Sequence, residues 1–356
     1  MHILLIVRYQ TGFADSLKYL RYEMLPLVQT QITSLLENLR LLEILVTAPL
    51  GLHSDIKMLR QSLPSEGSAD IEPDELRERR TAVSKSIEDP SLVALNTIEN
   101  ISVSLKLLES FNPESGCTLI DSWIDRAKRI LTRSKEKVTS KLRRQFAEKI
   151  RGVYVIIDPE VTANRSTLAI TELVLKGGAS VIQYRDKSAD KHSILRNAKD
   201  IEAICRNHNA LFIVNDYADI TKLSNANGLH IGQSDLSVES CRLITNHSQI
   251  IGKSNNTVEE AISAQSEAAD YIAIGPVFST STMGKHEKDP IGIEIIAEVK
   301  SRGIPMLVGI GGINSNNAAE VFEAGADSVC VASAVTLAGN PETATRALVN
   351  IFESKL

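Results

Sequence analysis

From Gly152 to the C-terminus, short β-branched runs alternate with stretches of helical periodicity, and this alternation limits the fold more than any other feature. The runs cover residues 153–157, 180–184, 211–214, 228–231, 250–252, 271–274, 305–308 and 328–331. Helical segments fall between them, as at 190–207, 258–269, 294–302 and 315–324. Strand–helix alternation calls for a parallel sheet, and eight such units in roughly 200 residues fit a closed barrel near its small limit. A doubly wound sheet is the alternative, but it more often has five or six strands and a glycine fingerprint after the first. No G-x-G-x-x-G follows residues 153–157. The expected fold is therefore a (β/α)8 TIM barrel preceded by a separate all-α domain.

Residues 1–150 hold almost no β-type runs. Their apolar residues are spaced for helices, as in Leu35, Leu39, Leu42 and Leu45, then Leu92, Leu95, Ile98, Leu105 and Leu108. Two Pro/Gly-containing stretches, 63–73 and 112–116, read as loops. Residues 32–45 and 98–111 form a weak internal repeat, two amphipathic copies that could pack together or be similar by chance. Residues 125–151 are rich in Lys and Arg, with apolar side chains at Ile130, Val138, Leu142, Phe146 and Ile150 and a gap at Ser134. That pattern predicts one helix with a narrow buried stripe and a solvated basic face. The expected division is a helical domain over 1–124, a basic connecting helix over 125–150 and the barrel over 151–356.

Composition removes several classes. The net charge of −5 argues against a global nucleic-acid binder, and the four cysteines (Cys117, Cys205, Cys241, Cys330) form no C-x-x-C pair. A zinc site or disulfide framework is not expected, and a reducing cytoplasm is the natural compartment. The apolar run at residues 3–7 is too short for a signal peptide, which needs about 7–15 apolar residues, or for a membrane span of about 20. No membrane or nucleic-acid partner is expected. The sequence leaves open whether the chain forms a homo-oligomer.

In a barrel of this kind the site lies at the strand C-termini. There the sequence places Gln183, Arg185 and Lys187, then Asn215-Asp216, Gly232-Gln-Ser-Asp235 and Gly252-Lys-Ser254. Further on come Thr280 and Thr282, Gly309-Ile-Gly-Gly-Ile313, and Ala332-Ser333. Asp216 and Asp235 suit a hard cation such as Mg²⁺, which takes one or two carboxylates and completes its shell with phosphates and water. Gln183, Arg185, Lys187 and Asn215 could hold a polyanion, Arg185 as a planar fork and Lys187 as a point charge. Gly311-Gly312 and Ala332-Ser333 follow the last two strands, where barrels often bind a phosphate through backbone N–H groups. Each group has a plainer reading: an Asp after a strand is often only a helix N-cap, and Gly-Gly is often only a turn. Together they call for one substrate with a pyrophosphate on Mg²⁺ and another with a single phosphate.

These residues resemble the thiamine-phosphate synthase family. The resemblance rests on Gly152-Val-Tyr-Val-Ile-Ile-Asp158, Val181-Ile-Gln-Tyr-Arg-Asp-Lys187, Asn215-Asp216, Gly228-Leu-His-Ile-Gly-Gln-Ser-Asp235, Asp270-Tyr-Ile-Ala-Ile-Gly-Pro-Val-Phe278 and Gly309-Ile-Gly-Gly-Ile313. It implies an alkyl transferase that joins 4-amino-2-methyl-5-pyrimidinylmethyl pyrophosphate to a thiazole phosphate through a pyrimidinylmethyl cation. It also implies that Gln183, Arg185, Lys187, Asn215 and Ser254 face the pyrimidine pyrophosphate and that Asp216 and Asp235 hold magnesium. Thr280, Thr282, Gly312 and Ser333, with Ala332 beside it, would surround the thiazole phosphate. The family usually reads Thr-x-Thr-Lys after its Gly-Pro element, whereas here Met283 follows Thr282 and the nearest lysine is Lys285. Lys285 is the expected substitute, which makes Arg185, Lys187, Ser254 and Lys285 the candidate catalytic residues. Glu37-Asn-Leu-Arg-Leu-Leu-Glu43 faintly resembles helical modules fused to some members, with Val103 where the second copy would need its first Glu. A thiazole tautomerase, a sugar-phosphate isomerase barrel and a non-catalytic binder of thiamine intermediates are the alternatives.

Overall fold

The computed structural model describes residues 26–45, 52–62, 90–110, 118–280 and 289–355. They belong to two compact units that divide between Leu142 and Arg143. The expected loops at 63–73 and 112–116 fall outside the described residues, as do Thr282, Met283 and Lys285.

The first unit is built on helices α1 (Pro26–Leu45), α2 (His53–Gln61), α3 (Pro90–Ser110) and the greater part of α4 (Thr118–Glu148). The repeated segments pack together: Leu35, Leu39 and Leu42 of α1 share one buried cluster with Ile98, Ile101 and Leu105 of α3. Helix α4 begins at Thr118, ahead of its basic run, and adds Ile124, Ala127, Leu131, Val138 and Leu142 to that cluster. Ile130 lies only at the edge of the cluster, because the buried stripe passes through Leu131 and Ser134 instead. Ser134 fills the apparent gap, fully buried, with its hydroxyl donating to the Ile130 carbonyl at 2.8 Å. The amphipathic spacing is kept because a hydroxyl returned to its own helix needs no other partner.

The second unit is a closed barrel of parallel strands in sequence order: β1 (Gly152–Ile157), β2 (Val181–Tyr184), β3 (Leu211–Asn215), β4 (Gly228–Ile231), β5 (Ile250–Asn255), β6 (Tyr271–Ile274), β7 (Leu307–Ile310) and β8 (Ser328–Val331). Closure pairs Gly152 with Ser328 and Val155 with Val331. Strand β7 starts two residues later than the periodicity suggested, since Pro305 has no N–H to give a ladder and pairing begins at Leu307. Strand β5 runs on to Asn255 because Lys253, Ser254 and Asn255 pair with β6.

Strand alternation sorts the side chains into two layers. Val153, Val155, Ile157, Ile182, Phe212 and Ile272 face the helices, whereas Tyr154, Ile156, Val181, Ile213, Ile250, Tyr271 and Val308 fill the interior. Ile150 is buried with this inner layer and Phe146 packs against it. Full burial of each large side chain contributes about 1.5–3 kcal/mol. The helices start where their caps allow: Asp190 accepts the Ser193 N–H and Thr257 the Glu260 N–H.

One interior position admits no side chain. A Cβ on Gly252 would lie 1.9 Å from Cζ of Tyr271, across the β5–β6 pair. Gly252→Ala should therefore lose at least the roughly 1–3 kcal/mol that overpacking costs. Denaturant titration of the full chain checks this, and an unchanged midpoint would mean that the interior can shift.

Candidate functional site

Each described residue named for the site is placed by the end of one strand. Gln183 lies inside the barrel on β2, 2% exposed, with Nε2 donating to the Tyr154 hydroxyl at 2.8 Å. Arg185 follows β2 and its guanidinium is engaged by the buried carboxylate of Asp158, which sits just past β1. Asp158 was not singled out from the sequence, although its place at a strand end was the available signal. Its other oxygen caps the next turn by accepting the Glu160 N–H at 3.0 Å.

The turn that carries Lys187 is held by Asp186, whose carboxylate accepts from the Ser188 and Ala189 N–H groups at 3.0 Å each and from the Tyr184 hydroxyl at 2.9 Å. Burial pushes the Asp186 carboxyl up, but these hydrogen bonds outweigh it and leave the net shift downward. Lys187 extends to Asp216, with 3.0 Å between Nζ and Oδ2.

Asp216 and Asp235 come together at the ends of β3 and β4. Burial raises the Asp216 carboxyl; the lysine opposes that, and the nearby Asp235 carboxylate, within hydrogen-bonding reach, raises it further. Asp216 takes a left-handed backbone conformation, φ 63°, and its N–H donates to the His230 carbonyl at 2.8 Å. That geometry is uncommon for a residue with a side chain, and such residues gather at functional sites. The Asp235 carboxylate accepts the Gly232 N–H at 2.7 Å, which folds its turn back on itself. Asn215 is 9% exposed at the tip of β3.

On the far side of the rim the backbone does the shaping. Gly311 and Gly312 have φ of 99° and 67°, and a Cβ on Gly311 would fall 2.5 Å from Pro276 Cα. Asn317 Nδ2 donates to the Gly312 carbonyl at 3.1 Å and its Oδ1 accepts the Asn314 N–H at 2.8 Å, so this turn is pinned from its own helix. Ala332 and Ser333 open the short helix Ser333–Thr336 after β8. Thr280 lies half-buried beyond β6.

Ser254 faces inward, with Oγ 2.8 Å from His230 Nε2. The next interior group is Tyr271, whose hydroxyl is 3.0 Å from His230 Nδ1 and 3.1 Å from the Tyr154 hydroxyl. His230, Tyr154 and Tyr271 were visible only as parts of longer motifs. Lys253 points outward to Glu267, at 2.7 Å, as strand alternation requires.

The family model for thiamine monophosphate synthase matches residues 153–335. A thiamine-phosphate synthase of Thermosynechococcus vestitus is 39% identical over 182 residues, 51% of this chain and 51% of that one. The chain thus spans about half the length of that relative. A thiamine-phosphate synthase of Chlorobium limicola is 39% identical over 193 residues, 54% of this chain and 91% of its own. Among solved structures, a thiamine phosphate pyrophosphorylase from Pyrococcus furiosus aligns with a TM-score of 0.55 and 33% identity, over 59% of this chain and 99% of that one.

The buried His230 generates a pH prediction. Burial pushes its imidazole down to about 4, and only the distant pull of Asp235 opposes this. An unfolded chain takes up that proton near pH 6.5, and the folded chain does so only near pH 4. The stability from this group is therefore full above pH 6.5 and is lost as pH falls from 6.5 towards 4, by about 3 kcal/mol. His230→Gln should show a smaller loss of unfolding free energy between neutral pH and about pH 4.5. An equal loss would assign the acid sensitivity elsewhere.

Proposed function

Because the chain belongs to the thiamine monophosphate synthase family, we propose that its barrel joins 4-amino-2-methyl-5-pyrimidinylmethyl pyrophosphate to thiazole phosphate. In this reading the bond from the methylene carbon to the pyrophosphate oxygen breaks first, and its electron pair leaves on the pyrophosphate. The thiazole nitrogen then donates its lone pair to the resulting cation, giving thiamine phosphate. The observation that carries the assignment is the Lys187–Asp216–Asp235 apposition beside Arg185, a cationic and anionic set at one rim. A tautomerase has no need for such a set.

The chemistry asked of the protein is orientation and charge neutralisation, with little demand for a strong base. Arg185, preset by Asp158, and Lys187 would hold the pyrophosphate of the departing group. Gln183, Asn215 and Ser254 would orient the pyrimidine. Thr280, Thr282, Gly312 and Ser333 would hold the thiazole phosphate, the glycine through its backbone N–H.

Asp216 and Asp235 fit a magnesium ion: two adjacent hard oxygen donors, Asp216 raised toward protonation by burial and by Asp235 although Lys187 lies 3.0 Å away. Bound there, magnesium would offset the charge of the pyrophosphate. The cytoplasm remains the assigned compartment, in keeping with the buried free thiols of Cys205, Cys241 and Cys330. No helix among the described residues is long and apolar enough to cross a membrane.

Two tests follow from these roles. Asp216→Asn and Asp235→Asn should each lower kcat sharply while the circular dichroism spectrum is kept, and EDTA should abolish thiamine phosphate formation in the parent. Full turnover in EDTA would remove the metal. Lys285 is the proposed leaving-group lysine, since Lys253 is committed to Glu267. A charge-assisted contact of roughly 1.5–3 kcal/mol means that Lys285→Ala should lower kcat/KM by about 10–100-fold, and Met283→Lys should restore part of it. Parent-like kinetics in Lys285→Ala would show that the site works without this lysine.

A further inference from the structure

The barrel interior holds a hydrogen-bonded chain that the phosphate and metal roles leave unexplained. It runs from Gln183 Nε2 to Tyr154 Oη (2.8 Å), to Tyr271 Oη (3.1 Å), to His230 Nδ1 (3.0 Å), and from His230 Nε2 to Ser254 Oγ (2.8 Å). The five side chains come from β2, β1, β6, β4 and β5. Four are nearly inaccessible: Gln183 2%, Tyr154 1%, Tyr271 1% and His230 6% exposed. The neighbouring interior positions hold Ile156, Val181, Ile213, Ile250 and Val308, so apolar packing alone does not account for a linked polar row.

The chain has a direction. Each hydroxyl carries one proton and a neutral imidazole carries one N–H. With Gln183 donating to the Tyr154 oxygen, the Tyr154 proton finds a partner within the row only by going to Tyr271. The Tyr271 proton then goes to His230 Nδ1, and an imidazole that accepts at Nδ1 bears its proton on Nε2, facing Ser254. The Ser254 proton is thereby turned out of the chain, and Gln183 keeps its carbonyl oxygen as an acceptor. The two ends differ in kind.

We propose that this chain fixes the hydrogen-bonding polarity of the pyrimidine pocket, so that Gln183 Oε1 accepts from an exocyclic amino group and Ser254 donates to a ring nitrogen. The proposal rests on the synthase reading above and makes Tyr154, Tyr271 and His230 positioning residues. It also sets specificity. A 4-oxo analogue of the pyrimidine presents a carbonyl and a ring N–H, which meet an acceptor and a donor of the wrong kind. Pairing its carbonyl takes an amide flip at Gln183, which reverses the row and changes the imidazole tautomer, while Ser254 can meet the ring N–H only by turning its own proton away. Sites built to hydrogen-bond a group discriminate far more strongly than apolar pockets do, because the wrong ligand leaves buried polar groups unpaired.

Two measurements on the full chain test this. Nitrogen-15 NMR of the histidine-labelled protein, with His230 assigned by its loss in His230→Gln, should show a protonated Nε2 and an unprotonated Nδ1. The opposite tautomer overturns the polarity. In kinetics, the parent should prefer the amino substrate over the 4-oxo analogue by about 100-fold or more, and Tyr271→Phe should cut this to about tenfold or less. That variant should raise KM for the pyrimidine pyrophosphate and leave KM for the thiazole phosphate unchanged; equal effects on both, or unchanged discrimination, overturn the positioning role. Should Tyr271→Phe not fold, Tyr154→Phe breaks the same row one link earlier and is read in the same way. A parent that makes no thiamine phosphate but binds the aminopyrimidine pyrophosphate with His230 protonated on Nε2 refutes the synthase reading and supports the polarity. An active parent with the other tautomer does the reverse.

Discussion

Closure of β8 onto β1 is the constraint from which the site follows. With every strand parallel and in sequence order, the eight C-terminal ends share one rim, and residues far apart in sequence meet there. Two carboxylates, Asp327 buried and Asp270 part-buried, reinforce the ladder from outside. Asp270 accepts the Ile251 N–H and pairs with Arg143 and Arg242, and Asp327 accepts the Leu307 N–H and pairs with Lys300 and Arg151. Each sits just before a strand and ties it to its neighbour, so the register that aims the rim side chains is held by charge as well as by backbone bonds.

That register separates two electrostatic regimes. At the rim, Arg185 and Lys187 are each matched by an aspartate, which keeps the cations in place before any anion arrives. Below the rim, the interior is largely apolar around the row of Gln183, Tyr154, Tyr271 and His230. An uncharged His230 suits that depth, since a buried cation there would be costly and, in the proposed reaction, would repel the pyrimidinylmethyl cation. Gly252 belongs to the same design: its missing side chain is the space that the Tyr271 ring occupies.

Much of this was legible in the residues alone. The strand count, the order of the elements and the polar groups at the strand ends came from periodicity. The pairing of the two repeated helices was one of two readings their spacing allowed, and the shared buried cluster is the one that holds. What periodicity misjudged was local. The β7 start slipped because a proline weighs little in an apolar count but cannot donate, and the buried stripe of α4 shifted because Ser134 reads as polar until its hydroxyl is seen bonded to its own helix.

The sequence by itself determined that the chain from residue 151 alternates strand and helix eight times and that its candidate functional groups lie at or after the strand ends, because both are properties of neighbouring residues. Only the tertiary structure decided which groups meet. Asp158 became the partner of Arg185, Asp216 that of Lys187, and a histidine in the β4 run became the link between Tyr271 and Ser254 in a polar row across five strands. Such partnerships depend on which strand lies beside which and in what register. That is settled by closing the barrel, a long-range event that spacing along the chain does not encode.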